Sequence, residues 1–124
     1  MYKKNLGTVI HGLGKGKDLG FPTANIKLND KELYIDKGVY AVTVTLDCQT
    51  YKGMLYVGTR PTLDLQEITI EIHILEFNED IYNMQIFFQI VQKIRNEVQF
   101  GSIDELIEQL HRDREMVYNF FQNQ

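Results

Sequence analysis

The fold is decided by the stretch Ile68-Thr69-Ile70-Glu71-Ile72-His73-Ile74-Leu75-Glu76-Phe77, in which apolar and polar residues alternate. Successive side chains of a β-strand point to opposite faces of a sheet, so this period of two predicts a strand. The isoleucines at positions 68, 70, 72 and 74 share one face, which packs inward if the strand is half-buried. Thr69, Glu71, His73 and Leu75 share the other face.

Other segments of the chain have the same character. Residues 38–47 alternate, with Tyr40, Val42, Val44 and Leu46 on one face. Asp47-Cys48-Gln49-Thr50 is a plausible turn into a second strand over residues 51–57. Shorter strands are expected over residues 6–11 and 24–28. Residues 84–94 are rich in β-branched and aromatic side chains and favour a strand, although a helix stays open there.

The period changes near the carboxyl end of the chain. Apolar residues follow helical spacing there, namely Ile103, Leu106, Ile107, Leu110, Val117, Phe120 and Phe121. Ser102-Ile103-Asp104-Glu105 has the pattern of a capping box, which marks the start of a helix. About six strands followed by one amphipathic helix favour a sandwich or a small barrel. We expect the helix to cover one side or end of that barrel.

Size and composition indicate an ordinary globular protein. The 124 residues suffice for a single domain over 1–124, and no apolar run reaches the roughly 20 residues that span a bilayer. Cys48 is the only cysteine, so no intrachain disulfide can form, which fits a cytoplasmic location. The net charge of −4 argues against broad nucleic-acid binding. We therefore expect a monomer without nucleic-acid or membrane partners.

A glycine-rich run, Gly12-Leu13-Gly14-Lys15-Gly16-Lys17, precedes Gly20-Phe21-Pro22-Thr23-Ala24-Asn25. Backbone N–H groups of such loops can cradle anions, and the two lysines add positive charge. The run satisfies neither the Walker A pattern nor the dinucleotide fingerprint. Thr23 and Asn25 both offer oxygen, which suits a hard cation such as Mg²⁺. The candidate phosphate-binding residues are Gly12, Gly14, Lys15, Gly16, Lys17, Thr23 and Asn25, and the candidate metal ligands are Thr23 and Asn25.

An ordered set of motifs covers nearly the whole chain and resembles the riboflavin kinases, including the kinase domain of bacterial bifunctional riboflavin kinase/FAD synthetases. The motifs are His11-Gly12, residues 16–25, Gly38-Val39-Tyr40-Ala41-Val42, Gly58-Thr59-Arg60-Pro61-Thr62, residues 71–77, Asp80-Ile81-Tyr82, and Ile94-Arg95-Asn96-Glu97 followed by Phe100. The resemblance implies a mainly β fold, a six-stranded antiparallel Greek-key barrel with a C-terminal α-helix.

The resemblance also implies a reaction. It is transfer of the γ-phosphate of ATP to the 5′-hydroxyl of riboflavin, which gives FMN and ADP. In this family Thr23 and Asn25 would hold the metal, Mg²⁺ or another divalent cation, together with the nucleotide phosphates. Glu71 would be the general base, and the glycine-rich loop would close over the nucleotide.

Three residues depart from the family pattern, and the adenylyltransferase half of the bifunctional proteins has no counterpart in these residues. Lys17 stands where many members carry arginine, which keeps the charge but loses the bidentate fork. Tyr56 stands where bacterial members often have asparagine, and Asn83 where glycine is usual. None of the three removes a proposed catalytic group.

Structural interpretations stay open for several of these residues. Thr23 and Asn25 are also common in turns, and from alternation alone Glu71 is a solvated carboxylate on the outer face. His73 is better explained as a hydrogen-bonding structural residue, and Arg95 with Glu97 as a charge pair. The alternative functions are a non-catalytic flavin- or nucleotide-binding barrel and the kinase half of a bifunctional FAD synthetase.

Overall fold

The computed structural model describes residues 4–10, 20–29, 35–61, 63 and 66–124, with backbone alone for Arg60, Pro61 and Gln66. The strands are β1 (Lys4–Ile10), β2 (Ala24–Leu28), β3 (Gly38–Leu46), β4 (Gln49–Pro61), β5 (Gln66–Ile74) and β6 (Gln85–Asn96), and the helix is α1 (Ile103–Gln122). The predicted strands are confirmed, except that β5 ends at Ile74, before the turn at Leu75 and Glu76, and that residue 11 of the first one lies outside the described residues. The segment left open between strand and helix is the strand β6.

The six strands close into an antiparallel barrel in the order β1-β2-β5-β4-β3-β6. β3, β4 and β5 follow one another as neighbours, and β6 returns to lie beside β3, which is the Greek-key arrangement. β1 then pairs with both β2 and β6 and closes the ring. The predicted fold class is confirmed.

Alternating side chains fill the barrel interior. Tyr40, Val42, Val44 and Leu46 of β3 are buried there, as their alternation predicts. Three of the four isoleucines of β5, at positions 70, 72 and 74, join them. Ile68, the third residue of β5, is instead 57% exposed. The expectation of four inward isoleucines therefore holds for three.

The helix begins at a capping motif. Ser102 is the N-cap, and its hydroxyl accepts a hydrogen bond from the Glu105 backbone N–H. The Glu105 carboxylate reaches back to the N–H of Gly101, one residue before the cap. These bonds satisfy orphan donors at the helix start, so the predicted capping box is confirmed in a slightly extended form.

Helix α1 lies on the outside of the barrel, where it contacts β3, β4 and β6. A second apolar cluster fills the space between them. It contains Phe21, Ala41, Met54, Leu75, Leu110 and Val117. The helix therefore covers one side of the barrel, as expected, and turns part of the outer sheet face into a walled surface. In the described part of the chain, α1 is too polar to qualify as a membrane-spanning helix, and no other helix qualifies.

Candidate active site

Four polar side chains and one valine form a row across the outer face of the barrel. Asn25 of β2 lies opposite Glu71 of β5, Glu71 lies opposite Tyr56 of β4, and Tyr56 lies opposite Val39 of β3. Val39 in turn lies opposite Arg95 of β6. Directly opposite residues of antiparallel strands point to the same side, so these five form one continuous row, called the transverse row below. The row connects residues that are far apart in sequence.

Thr23, just before β2, forms a hydrogen bond with a residue in the middle of β5. Its hydroxyl donates to Glu71 Oε1 across 3.0 Å, and both side chains are partly buried. Asn25 is the Cα partner of Glu71 in the β2–β5 pairing. The structure therefore brings together three of the residues that the sequence predicted for the site, Thr23, Asn25 and Glu71.

A buried histidine forms a hydrogen bond with the backbone just before Thr23. His73 Nδ1 lies 2.8 Å from the carbonyl oxygen of Pro22. Burial lowers the pKa of His73 more than the bond to Pro22 raises it, and Arg114 lowers it further. The ring is thus neutral and donates from Nδ1. This bond confirms the structural, hydrogen-bonding role that the sequence favoured for His73.

Phe21 fastens the same segment to the helix. Its ring is 2% exposed and packs edge-on against His73 at 5.5 Å and against His111 at 5.0 Å between ring centroids. The Arg114 guanidinium lies over the Phe21 ring at 4.7 Å. Phe21 and His73 together fix the backbone that carries Thr23 and Asn25.

Two cavities meet at the Thr23–Glu71 hydrogen bond. The first has a volume of about 550 Å³, within the usual range for small-molecule sites. Thr23 and Asn25 lie on its wall. The rest of the wall is formed by Val9, Ile10, Pro22, Ala24, Ile72, Ile74 and residues 77–82. Sequence reasoning gave no role to Asp80 or Tyr82, although both lie in a motif of the family resemblance.

The second cavity lies over the transverse row and has a volume of about 180 Å³. Its polar wall is formed by Tyr56, Thr69, Glu71, Arg95 and Glu97. Val98, Phe100, Leu106 and Leu110, from the β6–α1 connection and the helix, contribute an apolar wall. Glu71 thus borders one cavity, its bonded partner Thr23 borders the other, and the hydrogen bond joins the two.

Arg95 is fixed by a bidentate ion pair with the helix. Its Nε lies 2.7 Å from Asp113 Oδ1, and its Nη2 lies 2.8 Å from Asp113 Oδ2. Gln109 also donates to Asp113, whose side chain is fully buried. The predicted pairing of Arg95 with Glu97 is therefore wrong in its partner. The missed signal was an acidic residue between Leu110 and Val117 on the buried stripe of the helix.

The donor set of the first cavity fits a magnesium ion that is held mostly by phosphate and water. In the described ranges no three His, Cys, Asp or Glu side chains cluster as a metal site. Thr23 and Asn25 supply neutral oxygens, and Mg²⁺ usually keeps several waters and binds substrate phosphates. The predicted phosphate-binding residues Gly12, Gly14, Lys15, Gly16 and Lys17 lie outside the described residues.

The closed barrel thus carries two adjacent cavities whose walls are joined by the Thr23–Glu71 hydrogen bond. The sequence matches the Flavokinase family, described as riboflavin kinase, over residues 2–121. The chain belongs to this family.

Two bifunctional proteins are among its relatives. The chain is 35% identical over 120 residues to the bifunctional riboflavin kinase/FMN adenylyltransferase of Bacillus subtilis, covering 94% of this chain and 38% of that protein. It is 40% identical over 116 residues to the protein of the same name from Haemophilus influenzae, covering 93% of this chain and 37% of that protein. The chain thus spans less than two-fifths of the length of these curated relatives.

Solved structures share the fold. One is the crystal structure of a protein named macrolide-efflux protein from Streptococcus pneumoniae, with a TM-score of 0.87 and 37% identity over 94% of this chain and 38% of that chain. Another is riboflavin kinase from Trypanosoma brucei, with a TM-score of 0.67 and 26% identity over 96% of this chain and 79% of that chain.

Proposed function

We propose that this chain is a riboflavin kinase, which transfers the γ-phosphate of ATP to the 5′-hydroxyl of riboflavin and releases FMN and ADP. The observation that carries this proposal is the Thr23–Glu71 hydrogen bond at the junction of the two cavities. In phosphoryl transfer, the terminal phosphate of the donor must lie next to the hydroxyl of the acceptor. Ligands bound in two adjacent cavities would bring these groups together at the junction.

The first cavity is assigned to the nucleotide. Its volume of about 550 Å³ suits a ligand of that size, and Thr23 and Asn25 on its wall are the hydrogen-bond partner and the cross-strand partner of Glu71. In the sequence, the glycine-rich run 12–17 leads directly into this segment. A divalent cation bound by Thr23 and Asn25 would neutralise charge on the phosphates. Thr23 and Asn25 would thereby orient the terminal phosphate toward the second cavity.

The second cavity is assigned to the acceptor. At about 180 Å³ it is smaller than the roughly 300 Å³ or more that encloses a whole drug-sized ligand. It therefore takes the ribityl end of riboflavin, and the isoalloxazine ring extends beyond it along the apolar wall. Val98, Phe100 and Leu106 of that wall offer the surface on which the ring would lie.

Glu71 is assigned as the general base. Its Oε1 accepts from Thr23, which leaves Oε2 for the 5′-hydroxyl of the acceptor. As the 5′-oxygen bonds to the γ-phosphorus, the bond from that phosphorus to the β,γ-bridging oxygen breaks. The hydroxyl proton passes to Oε2 and ADP leaves. Positioning and charge neutralisation supply most of the acceleration in such transfers.

Incubation of the purified chain with riboflavin and Mg·ATP tests the proposal. We expect FMN and ADP in equal amounts after chromatography, FMN detected by flavin fluorescence and ADP by ultraviolet absorbance, with the slowed variant Glu71→Gln as the control. Riboflavin binding without FMN would support the alternative, a non-catalytic flavin-binding barrel. Absence of both would overturn the assignment of the second cavity as well.

The rest of the proposal follows the sequence-based predictions. FMN and ATP supplied to the same preparation should yield no FAD, because the motifs in this sequence resemble only the kinase half of the bifunctional proteins. Appreciable FAD would contradict a single activity. A monomeric state, a cytoplasmic location and the absence of nucleic-acid and membrane partners stay predictions from composition.

A further inference from the structure

Tyr56 occupies the centre of the transverse row, between the proposed base and the ion pair that anchors the helix. It lies opposite Glu71 on one side and opposite Val39 on the other, and Val39 lies opposite Arg95. Its side chain is partly buried and lines the second cavity together with Glu71. The proposed chemistry gave this residue no role.

The hydroxyl of Tyr56 has a weak partner among the described residues. It donates to the thioether sulfur of Met54 across 3.8 Å. A thioether is a poor acceptor, so this bond contributes little compared with one to an oxygen. A phenolic hydroxyl on a cavity wall with only a sulfur acceptor is ready to turn to an oxygen of a ligand. The phenol ring itself packs against the apolar cluster beneath the helix, so the ring position is fixed.

The surroundings keep this hydroxyl protonated. Burial raises the pKa of Tyr56, and the Asp113 and Glu71 carboxylates raise it further against the opposing effect of Arg95 and Arg114. A protonated phenol donates one hydrogen bond and still accepts another. Both capacities suit a polyol chain, whose hydroxyls donate and accept in turn.

We propose that Tyr56 binds the ribityl chain of the acceptor, through a hydrogen bond between its hydroxyl and a ribityl hydroxyl adjacent to the 5′ position. This inference rests on the proposed function of the second cavity. Cross-strand neighbours such as Tyr56 and Glu71 have Cβ atoms about 4.5–5.5 Å apart. An acceptor whose 5′-oxygen lies at Glu71 therefore brings its neighbouring hydroxyls, not its ring, to Tyr56. Held at two points, the terminal hydroxyl keeps its direction toward the phosphate.

The variant Tyr56→Phe removes the hydroxyl alone and keeps the ring in the apolar cluster. We expect the KM for riboflavin to rise by about 3- to 10-fold, the size of one lost hydrogen bond, with the KM for ATP unchanged. Lumiflavin, which lacks the ribityl chain, should inhibit the variant and the wild-type protein equally. The matched control is Tyr51→Phe on the same strand, whose hydroxyl bonds to Gln49 away from both cavities.

The outcomes separate this inference from the proposed function. If the wild-type protein forms FMN and Tyr56→Phe leaves the KM for riboflavin unchanged, the role of Tyr56 is overturned while the kinase assignment stands. If lumiflavin inhibition weakens in parallel with riboflavin use, Tyr56 contacts the ring and the assignment to the ribityl chain is wrong. If the wild-type protein forms no FMN, the proposed function fails. Riboflavin affinity, measured by fluorescence, then decides the role of Tyr56 alone.

Discussion

The hydroxyl of Thr23 donates to Glu71 Oε1 across 3.0 Å, and this bond joins two residues that are 48 positions apart in the chain. One partner precedes β2 and faces the larger cavity, while the other lies in β5 and faces the smaller cavity. A hydroxyl that donates its proton to a carboxylate directs its lone pairs away from it. The bond therefore holds the carboxylate in place and leaves the Thr23 lone pairs available, as the proposed cation site requires.

Glu71→Gln should reduce kcat by about 10²–10⁴-fold, the usual contribution of a positioned base. Glutamine keeps a carbonyl oxygen for the Thr23 bond but has no carboxylate to take the proton. Because the proton acceptor matters mainly in the transition state, riboflavin affinity should change little. Single-turnover FMN formation, measured beside flavin fluorescence titration, provides the check. A chemical step within a few-fold of wild type would show that Glu71 is a structural carboxylate.

Thr23→Val removes the hydroxyl and keeps the shape of the side chain. The variant loses the proposed cation-binding oxygen and the bond that positions Glu71; at about 1.5–3 kcal/mol for an interaction with a charged group, kcat/KM for Mg·ATP should fall by at least about 10-fold. Thr23→Ser is the matched control, since it retains the hydroxyl and should stay within a few-fold of wild type. Steady-state kinetics at limiting Mg·ATP separates the two variants. Equal activity of both would remove Thr23 from the site.

Two ion pairs of similar length should differ widely in their effect on stability. The Arg95–Asp113 pair has side chains 16% and 0% exposed, whereas the Arg112–Glu108 pair has both above 60%. Asp113→Ala leaves Arg95 without its buried partner and should lower the free energy of unfolding by about 3 kcal/mol. Glu108→Ala should lower it by less than about 0.5 kcal/mol. Urea unfolding of the two variants is the measurement, and similar losses would contradict the role given to burial.

The His73 ring should make the stability depend on pH. Burial lowers the pKa of His73, so the folded protein keeps the ring neutral at a pH where the unfolded chain protonates it. Because the unfolded state then binds more protons, stability should be fully present above about pH 6.5 and decline as the pH falls below it. His73→Asn keeps a donor near Nδ1 but cannot titrate, so its decline should be shallower. The test is the Tm of the wild-type protein and of the variant at about pH 5.5 and pH 7.5. The fall in Tm of each protein is measured from its own Tm at the higher pH.

The turn between β3 and β4 offers a stabilising change. Asp47 and Cys48 lie in the predicted turn with φ angles of 49° and 66°, and Cys48 is exposed. A residue with a Cβ is strained there by about 1–2 kcal/mol, which glycine avoids at a smaller entropic cost. Cys48→Gly should therefore raise the unfolding free energy by about 0.5–1 kcal/mol. Cys48→Ala, which removes the thiol but keeps the strain, should give no such gain by urea unfolding.

Much of the fold was predictable because periodicity is local. The alternation around Glu71 identified the strand and its outward face, and the spacing from Ile103 onward identified the helix. The alternation could not show that Ile68 is exposed, because it places all four isoleucines on one face and does not show how far along β5 the packed interior extends. Information of that kind belongs to the pairing of strands that are distant in sequence.

The site was predictable in its parts but not in its assembly. Thr23, Asn25 and Glu71 came from motifs, yet their contact depends on the pairing of β2 with β5, which are not consecutive. The partner of Arg95 was missed for a related reason. Asp113 is distant along the chain, and only the packing of the helix on β6 brings it within reach.

Closure of the barrel has a consequence for how the protein is made. Lys4 pairs with Gln89 and Thr8 with Gln85, so the first described strand gains its second neighbour only when the last described strand, β6, has been made. Contacts of such long range form slowly, and ribosomes add only about 5–20 residues per second. During that interval the nascent chain presents an open strand edge to other chains, a known route to aggregation. Once the ring closes, the described strands have no such edge. The risk of aggregation through an open edge is therefore confined to the time before the barrel closes.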